Sequence, residues 1–476
     1  MKSVKKKLRE MLNPNLLDIR ECNLHKVHNA FGTGLNSFGY DVELLVMDIY
    51  YFFKQAIHSS QLSEKQKDLG IPEHVFLRHV SSRWLTFQSS LERVLQQFEV
   101  LKAFFQTEAG ATPTSAVLQK RLASALSDKT ILAKMLFLRN TAELLSEFQT
   151  VFQKEEPLVH IVHSKCIGLV RKLLSRFMKH EAYCNLFGNE LKQLDVGSPE
   201  WLKQVLEIGS DTEKEMRNWD PQEKKSFRTS AQAFYISTAR HLIKRLPLDN
   251  KLLYHLRFLD PICSLPVEET VQSIKYVAAG VPHMIKGEQV TSLVDQWHCL
   301  HSQPISAAAH LPAPSIDGYW ASVLASGKYP LVSVFVRAML SLPHGNADCE
   351  RGFSENKRIV GSRANLGIVA PNAIRHVKSY VKRFDSDPSK VLVTRDLVNA
   401  VKHLHRTYTE RLQREANDME RQKRKTPVAS SSLLEKMAKL DEEKQCVEWR
   451  LESSKAMLQR AQRLIKKGLA GNDIAT

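Results

Sequence analysis

The chain has 476 residues, 43% of them hydrophobic and 25% charged, which is ordinary for a folded protein and enough to bury a sizeable core. It contains no run of eighteen apolar residues, which argues against a membrane-spanning helix, and its charged opening, MKSVKKKLREML, lacks the apolar stretch of a secretory signal. The formal net charge of +17 favours a polyanionic partner, nucleic acid first, through phosphate neutralisation and counterion release. The seven cysteines (22, 166, 184, 263, 299, 349 and 446) are odd in number and scattered, which fits a reducing intracellular compartment better than a disulfide framework.

Helical spacing of Val4, Leu8 and Met11 predicts an amphipathic helix over residues 2–12, ended by Pro14. LLDIREC then reads as a short strand, followed by a helix that runs through Phe31 until Gly32 and Gly34 weaken it. Cys22, His25 and His28 stand three apart. Three ligands without a fourth are a weak zinc signal, because structural zinc sites are nearly always four-coordinate, and no metal is assigned.

Residues 41–58 predict a strongly apolar helix, and Gly70-Ile71-Pro72 closes the loop after it. Trp84, Phe87, Leu91, Val94, Phe98, Leu101 and Phe105 alternate spacings of three and four, predicting one long helix. After the small-residue loop 109–115, helices are expected at 116–127, 130–153, 158–181, 200–217, 228–245, 250–259 and 267–285. His160 with His163, and His298-Cys299 with His301, lack partners at ligand spacing. Residues 301–315 read as a linker.

The stretch from Tyr319 to Arg363 has a more specific order. Pro330 suits the first turn of a helix, and the run to Leu342 is almost all apolar, so it belongs in a core or an interface. Pro343 stops it, His344-Gly345 turn, and Asn346 caps a second helix that carries Cys349, Glu350, Arg351, Phe353 and Ser354 and closes at Gly361. A further helix starts at Pro371. Residues 410–425 are almost wholly polar and end in the basic patch Arg421, Lys423, Arg424 and Lys425, a candidate nuclear-import or phosphate-binding element. Beyond Pro427, Leu433, Met437, Leu440, Lys444, Val447, Leu451, Ser454, Leu458, Ala461 and Ile465 form an a/d seam, a candidate coiled coil or a helix folding back on its own chain.

The ordered parts Tyr319-Trp320, Tyr329-Pro330-Leu331 and Cys349-Glu350-Arg351-Gly352-Phe353-Ser354 resemble the C-terminal dimerisation region of the hAT transposase family. Cys349 stands where that family usually has serine. NPNLLDIRECNLHKVHNA is similar to the strand and Cys-x-x-His element of the family's RNase H-like catalytic domain, with Cys22 and His25 at the matching positions, and Arg83-Trp84 matches its Arg-Trp element.

The resemblance implies a mainly α chain. Residues 1–108 would be a partial RNase H-like domain, 109–310 the helical insertion, 311–385 the dimerisation region, and 386–476 a charged helical tail. Tyr329, Pro330, Leu331, Phe335, Val336, Met339 and Leu342 would form the dimerisation region's packing, together with Phe353. The family's two catalytic aspartates have no counterpart here, and only Glu350 matches the third carboxylate. Three carboxylates are needed to hold two divalent ions, so the expectation is a vestigial Glu350 and no enzymatic activity.

The expected function is therefore that of a transposable-element-derived nuclear protein acting through homodimerisation or higher self-association, with non-specific DNA binding and no membrane partner. No cofactor is expected. A first alternative is a fragment of an active transposase whose aspartates lie upstream, in which case Mg²⁺ would be required. A second is a helical scaffold that recruits partners through its coiled coil.

Overall fold

The computed structural model of the protein describes residues 6–7, 10–11, 22–38, 40–80, 85–107, 116–263, 265–302, 315–361 and 369–425. The chain divides into two compact units, Met1–Arg358 and Ile359–Thr476. The described residues are mainly α-helical and form no strand; an isolated antiparallel bridge pairs Met178 with Leu202. No described helix is long and apolar enough to cross a membrane. Apart from Cys22, the strand expected in LLDIREC lies outside the described residues, as do Arg83 and Trp84.

The first unit begins with α1 (Asn23–Phe38), α2 (Tyr40–Phe53), α3 (Ala56–Asp68), α4 (Leu85–Gln96) and α5 (Phe98–Thr107). Three expectations need correction here. α1 runs past Gly32 and Gly34 to Phe38, because Gly34 is where the helix lies closest to a neighbour rather than where it ends. The helix expected over 41–58 is two, broken at the extended Gln55. His58 then stacks on Phe52 with ring centroids 4.1 Å apart, folding α3 back on α2. The long helix from Trp84 is also two. At the break, the buried Gln97 donates to the Pro72 carbonyl at 3.2 Å and accepts from Gln66 at 2.9 Å. Both glutamines thereby anchor the extended loop after α3.

The unit continues with α6 (Ala116–Ser127), α7 (Ile131–Phe152), α8 (Val162–Leu174), α9 (Gly188–Gln193), α10 (Ser210–Glu215), α11 (Pro221–Arg245), α12 (Lys251–His255), α13 (Val267–Ala279) and α14 (Val290–Ser302). α11 starts where Asp220 caps it, accepting from Gln222 N at 2.7 Å, with Pro221 in the first turn. The helix expected over 200–217 is mostly absent. Backbone amides of Lys203 and Glu207 donate instead to the Phe177 and Arg176 carbonyls, both at 2.9 Å, and Gly209, at φ +96°, sets the bend before α10. The helix expected over 158–181 likewise stops at Leu174, so that Met178 can bridge to Leu202.

α1 and α11 make the most extensive helix pair. Phe31 meets Phe234 edge-on at 5.2 Å, and Phe38 meets Phe137 at 4.6 Å and Phe227 at 5.4 Å. In these quadrupole-favoured ring pairs Phe31, Phe137 and Phe234 are fully buried and Phe38 is half-buried against them. Tyr235 stacks on Phe177 and donates its hydroxyl to the Glu207 carbonyl at 2.9 Å, which satisfies the polar end of a buried ring. Burial pushes its pKa up to about 12.

Towards the end of the first unit come α15 (Ile316–Val323), α16 (Pro330–Leu340) and α17 (Ala347–Val360), whose last two residues belong to the second. Trp320 of α15 is buried and donates its indole N–H to the Leu259 carbonyl at 3.0 Å. The first-turn amide of Leu331, which has no helical partner, donates to the Gln296 side chain of α14 at 3.0 Å. The second unit contains α18 (Val369–Lys382) and α19 (Arg395–Lys425). The tail seam lies outside the described residues, and Arg421, Lys423, Arg424 and Lys425 fall in the last turns of α19.

Candidate functional site

Three segments distant in sequence meet at one corner of the first unit: the N-terminus of α1, the turn between α16 and α17, and the C-terminal end of α7. Cys22, just ahead of α1, is buried, and a Cβ on Gly345 would touch its Sγ at 3.6 Å. The turn therefore runs directly over the Cys-x-x-His element. One helical turn further, His25 Nε2 lies 3.6 Å from Glu350 Oε1. That is beyond hydrogen-bond length, so the two attract as an ion pair only when the imidazole is protonated.

Two side chains fasten this corner to α7. His344 Nε2 donates to the Phe152 carbonyl at 3.3 Å, which places the ring proton on that nitrogen. Arg351 Nη1 donates to the Gln153 carbonyl at 2.7 Å, and Arg351 also pairs with Asp348 and, at 3.5 Å, with Glu155. The last carbonyls of a helix lack intrahelical donors and carry partial negative charge, so a histidine and a guanidinium are suited to this end. Burial depresses the pKa of His344, against the opposing pull of the hydrogen bond to Phe152 and of Asp348. His160 beside it is buried, and its pKa is also depressed by burial, with Asp260 and Glu156 working the other way. His160 Nδ1 has no hydrogen-bond partner.

The sequence-predicted site residues divide into those brought together and those spread apart. Cys22, His25, Glu350 and Arg351 converge as described. Cys349, Phe353 and Ser354 face solvent, with Phe353 72% exposed. Tyr329, Phe335, Val336 and Met339 are buried in the unit's own core, while Leu331 and Leu342 are half-buried against it. Phe335 stacks on Phe258 at 6.1 Å, and Phe258 meets Trp297 at 5.1 Å. The apolar helix that sequence reasoning placed in a core or an interface is thus largely core, and Val334, 46% exposed, is its outward apolar residue.

Among the described residues, no three His, Cys, Asp or Glu side chains are grouped to hold a metal ion. Glu350 stands beside a histidine, a geometry suited to a weak ion pair and to solvent contact. His344 and His160 were not singled out by spacing in combination; the one available signal was His344 in a turn between two helices. No protein-family model, curated protein or solved structure matches this chain.

Proposed function

We propose that the chain is a transposase-derived protein of the hAT type that does not catalyse transposition and acts by self-association, with its basic surface as a sequence-independent contact for DNA. Support for the descent comes from placement. The Cys-x-x-His and Cys-Glu-Arg elements are far apart in sequence, yet His25 and Glu350 come within 3.6 Å.

The observation that carries the self-association reading is Phe353, a large aromatic left 72% exposed inside the motif that resembles the dimerisation region. Exposed aromatics on otherwise packed surfaces are favoured interface anchors. Val334 adds a second exposed apolar side chain in the same region. The test is the solution mass of the chain and of Phe353→Asp with Val334→Asp: the double variant becomes monomeric while its helical circular dichroism is unchanged. A wild-type monomer would remove the reading.

A second reading is an active transposase whose aspartates lie upstream, with Glu350, open to solvent beside His25, as its third carboxylate. In-frame upstream sequence restored to the chain would then give Mg²⁺-dependent strand cleavage that Glu350→Gln abolishes.

A further inference from the structure

α19 is a 31-residue helix with an apolar stripe facing water. Val398, Val401, Tyr408 and Leu412 are 39%, 61%, 61% and 47% exposed. With His405, Glu415 and Met419 they recur at spacings of three and four, which is the heptad rhythm of a seam that packs against one other helix. Residues 433–465 carry a seam of the same rhythm, longer by three positions. Between Lys425 and Leu433 stand only TPVASSS, seven residues with a proline and three serines, within the usual range for joining antiparallel helices.

Laid antiparallel about the middle of that loop, the α19 seam from Val398 to Met419 matches the tail seam from Leu440 to Ala461, and beyond it Met437 falls opposite Gln422. Met419 falls opposite Leu440, Leu412 opposite Val447, Tyr408 opposite Leu451, Val401 opposite Leu458, and Val398 opposite Ala461. The two polar positions of the tail seam, Lys444 and Ser454, fall opposite Glu415 and His405, the polar positions between Val398 and Met419 in α19. A slip of one heptad destroys this. In one direction Lys444 meets Tyr408, and in the other Ser454 meets Leu412. We infer that the occupant of the α19 stripe is the chain's own segment 433–465, folded back as an antiparallel helical hairpin in which Lys444 pairs with Glu415.

Tethering decides between this segment and a second copy. A seven-residue connection holds the segment at an effective concentration in the roughly millimolar range, well above the concentration of a free partner chain. The hairpin is independent of the self-association reading, because Phe353 and Val334 belong to neither seam.

The experiment uses the full chain with Leu412→Cys and Val447→Cys, each single variant, and an out-of-register pair, Leu412→Cys with Leu440→Cys. After mild oxidation, denaturing non-reducing electrophoresis and peptide mass spectrometry locate any disulfide. The expected result is an intrachain 412–447 bond at the 54.3 kDa of one chain, with the out-of-register pair unbridged. A bond between chains, from the pair or from the Val447→Cys single variant, would identify a second copy as the occupant and overturn the hairpin. Equal bridging by both pairs, or none, would overturn it too. As a check free of new cysteines, Glu415→Lys removes hydrogen-exchange protection from residues 433–465, and adding Lys444→Glu restores it; failure of that rescue contradicts the pairing.

Discussion

His25 Nε2 lies 3.6 Å from the Glu350 carboxylate, with both side chains more than half open to solvent, while the adjacent Arg351 bonds the Gln153 carbonyl at 2.7 Å. Neighbours in sequence, Glu350 and Arg351 thus hold different physical positions. An exposed ion pair is worth little, because water screens it and two side chains must be ordered to make it. A charged donor on an otherwise orphaned helix-end carbonyl is worth more.

The two should separate in a denaturation experiment. Glu350→Gln changes unfolding free energy by less than about 1 kcal/mol, and Arg351→Ala lowers it by about 1–2 kcal/mol. Urea titrations of both variants check this. Equal losses would mean that Glu350 is a structural element of the corner and not a bystander.

Gly34 is the residue most sensitive to a small change. A Cβ there would lie 2.8 Å from Phe234 Cε2 and overlap the Thr238 hydroxyl, at the closest approach of α1 to α11. Gly34→Ala is normally favourable inside a helix, by about 0.5–1 kcal/mol. Here overpacking reverses the sign, to a net loss of about 1–3 kcal/mol, read from the urea midpoint. Gly32→Ala on the same helix, with open space around its Cβ, is the control and should be neutral or stabilising.

Acid sensitivity follows from buried histidines. Burial depresses the pKa of His160, of His163, and of His344 below the ordinary 6.5; His163 Nε2 also donates to the Leu248 carbonyl at 3.0 Å. A histidine with a depressed folded value binds fewer protons folded than unfolded. Its contribution is therefore fully present above 6.5 and is lost as pH falls through the folded values. Unfolding free energy measured at about pH 7.5 and about pH 5.5 should fall with acid, and His160→Gln should flatten that fall. A wild-type protein as stable at the lower pH would contradict the burial of these rings.

Much of the region from 116 to 302 was legible because its helices carry apolar faces at regular spacing and clear stops. The expected 116–127 coincides with Ala116–Ser127, and 130–153 differs from Ile131–Phe152 by a residue at each end. What periodicity cannot see is a backbone with a better partner elsewhere. Residues 203–207 have apolar spacing compatible with a helix, yet the amides of Lys203 and Glu207 pair with the carbonyls of Phe177 and Arg176. Gln97 breaks a seam of regular spacing because its side chain ties down a loop more than twenty residues earlier. At the candidate site, the sequence supplied Cys22, His25, Glu350 and Arg351 as members of two separate motifs. Their meeting, and the fastening of His344 and Arg351 to the end of α7, depend on contacts between distant segments that no local pattern encodes.

Self-association through the region of Phe353 and Val334 is the proposed activity of the chain. Size-exclusion chromatography with light scattering on the purified chain tests it most directly. A uniform species near twice 54.3 kDa, unchanged by deletion of residues 426–476 and lost in the Phe353→Asp, Val334→Asp variant, is the predicted result. A single species at 54.3 kDa across the accessible concentration range would contradict the account.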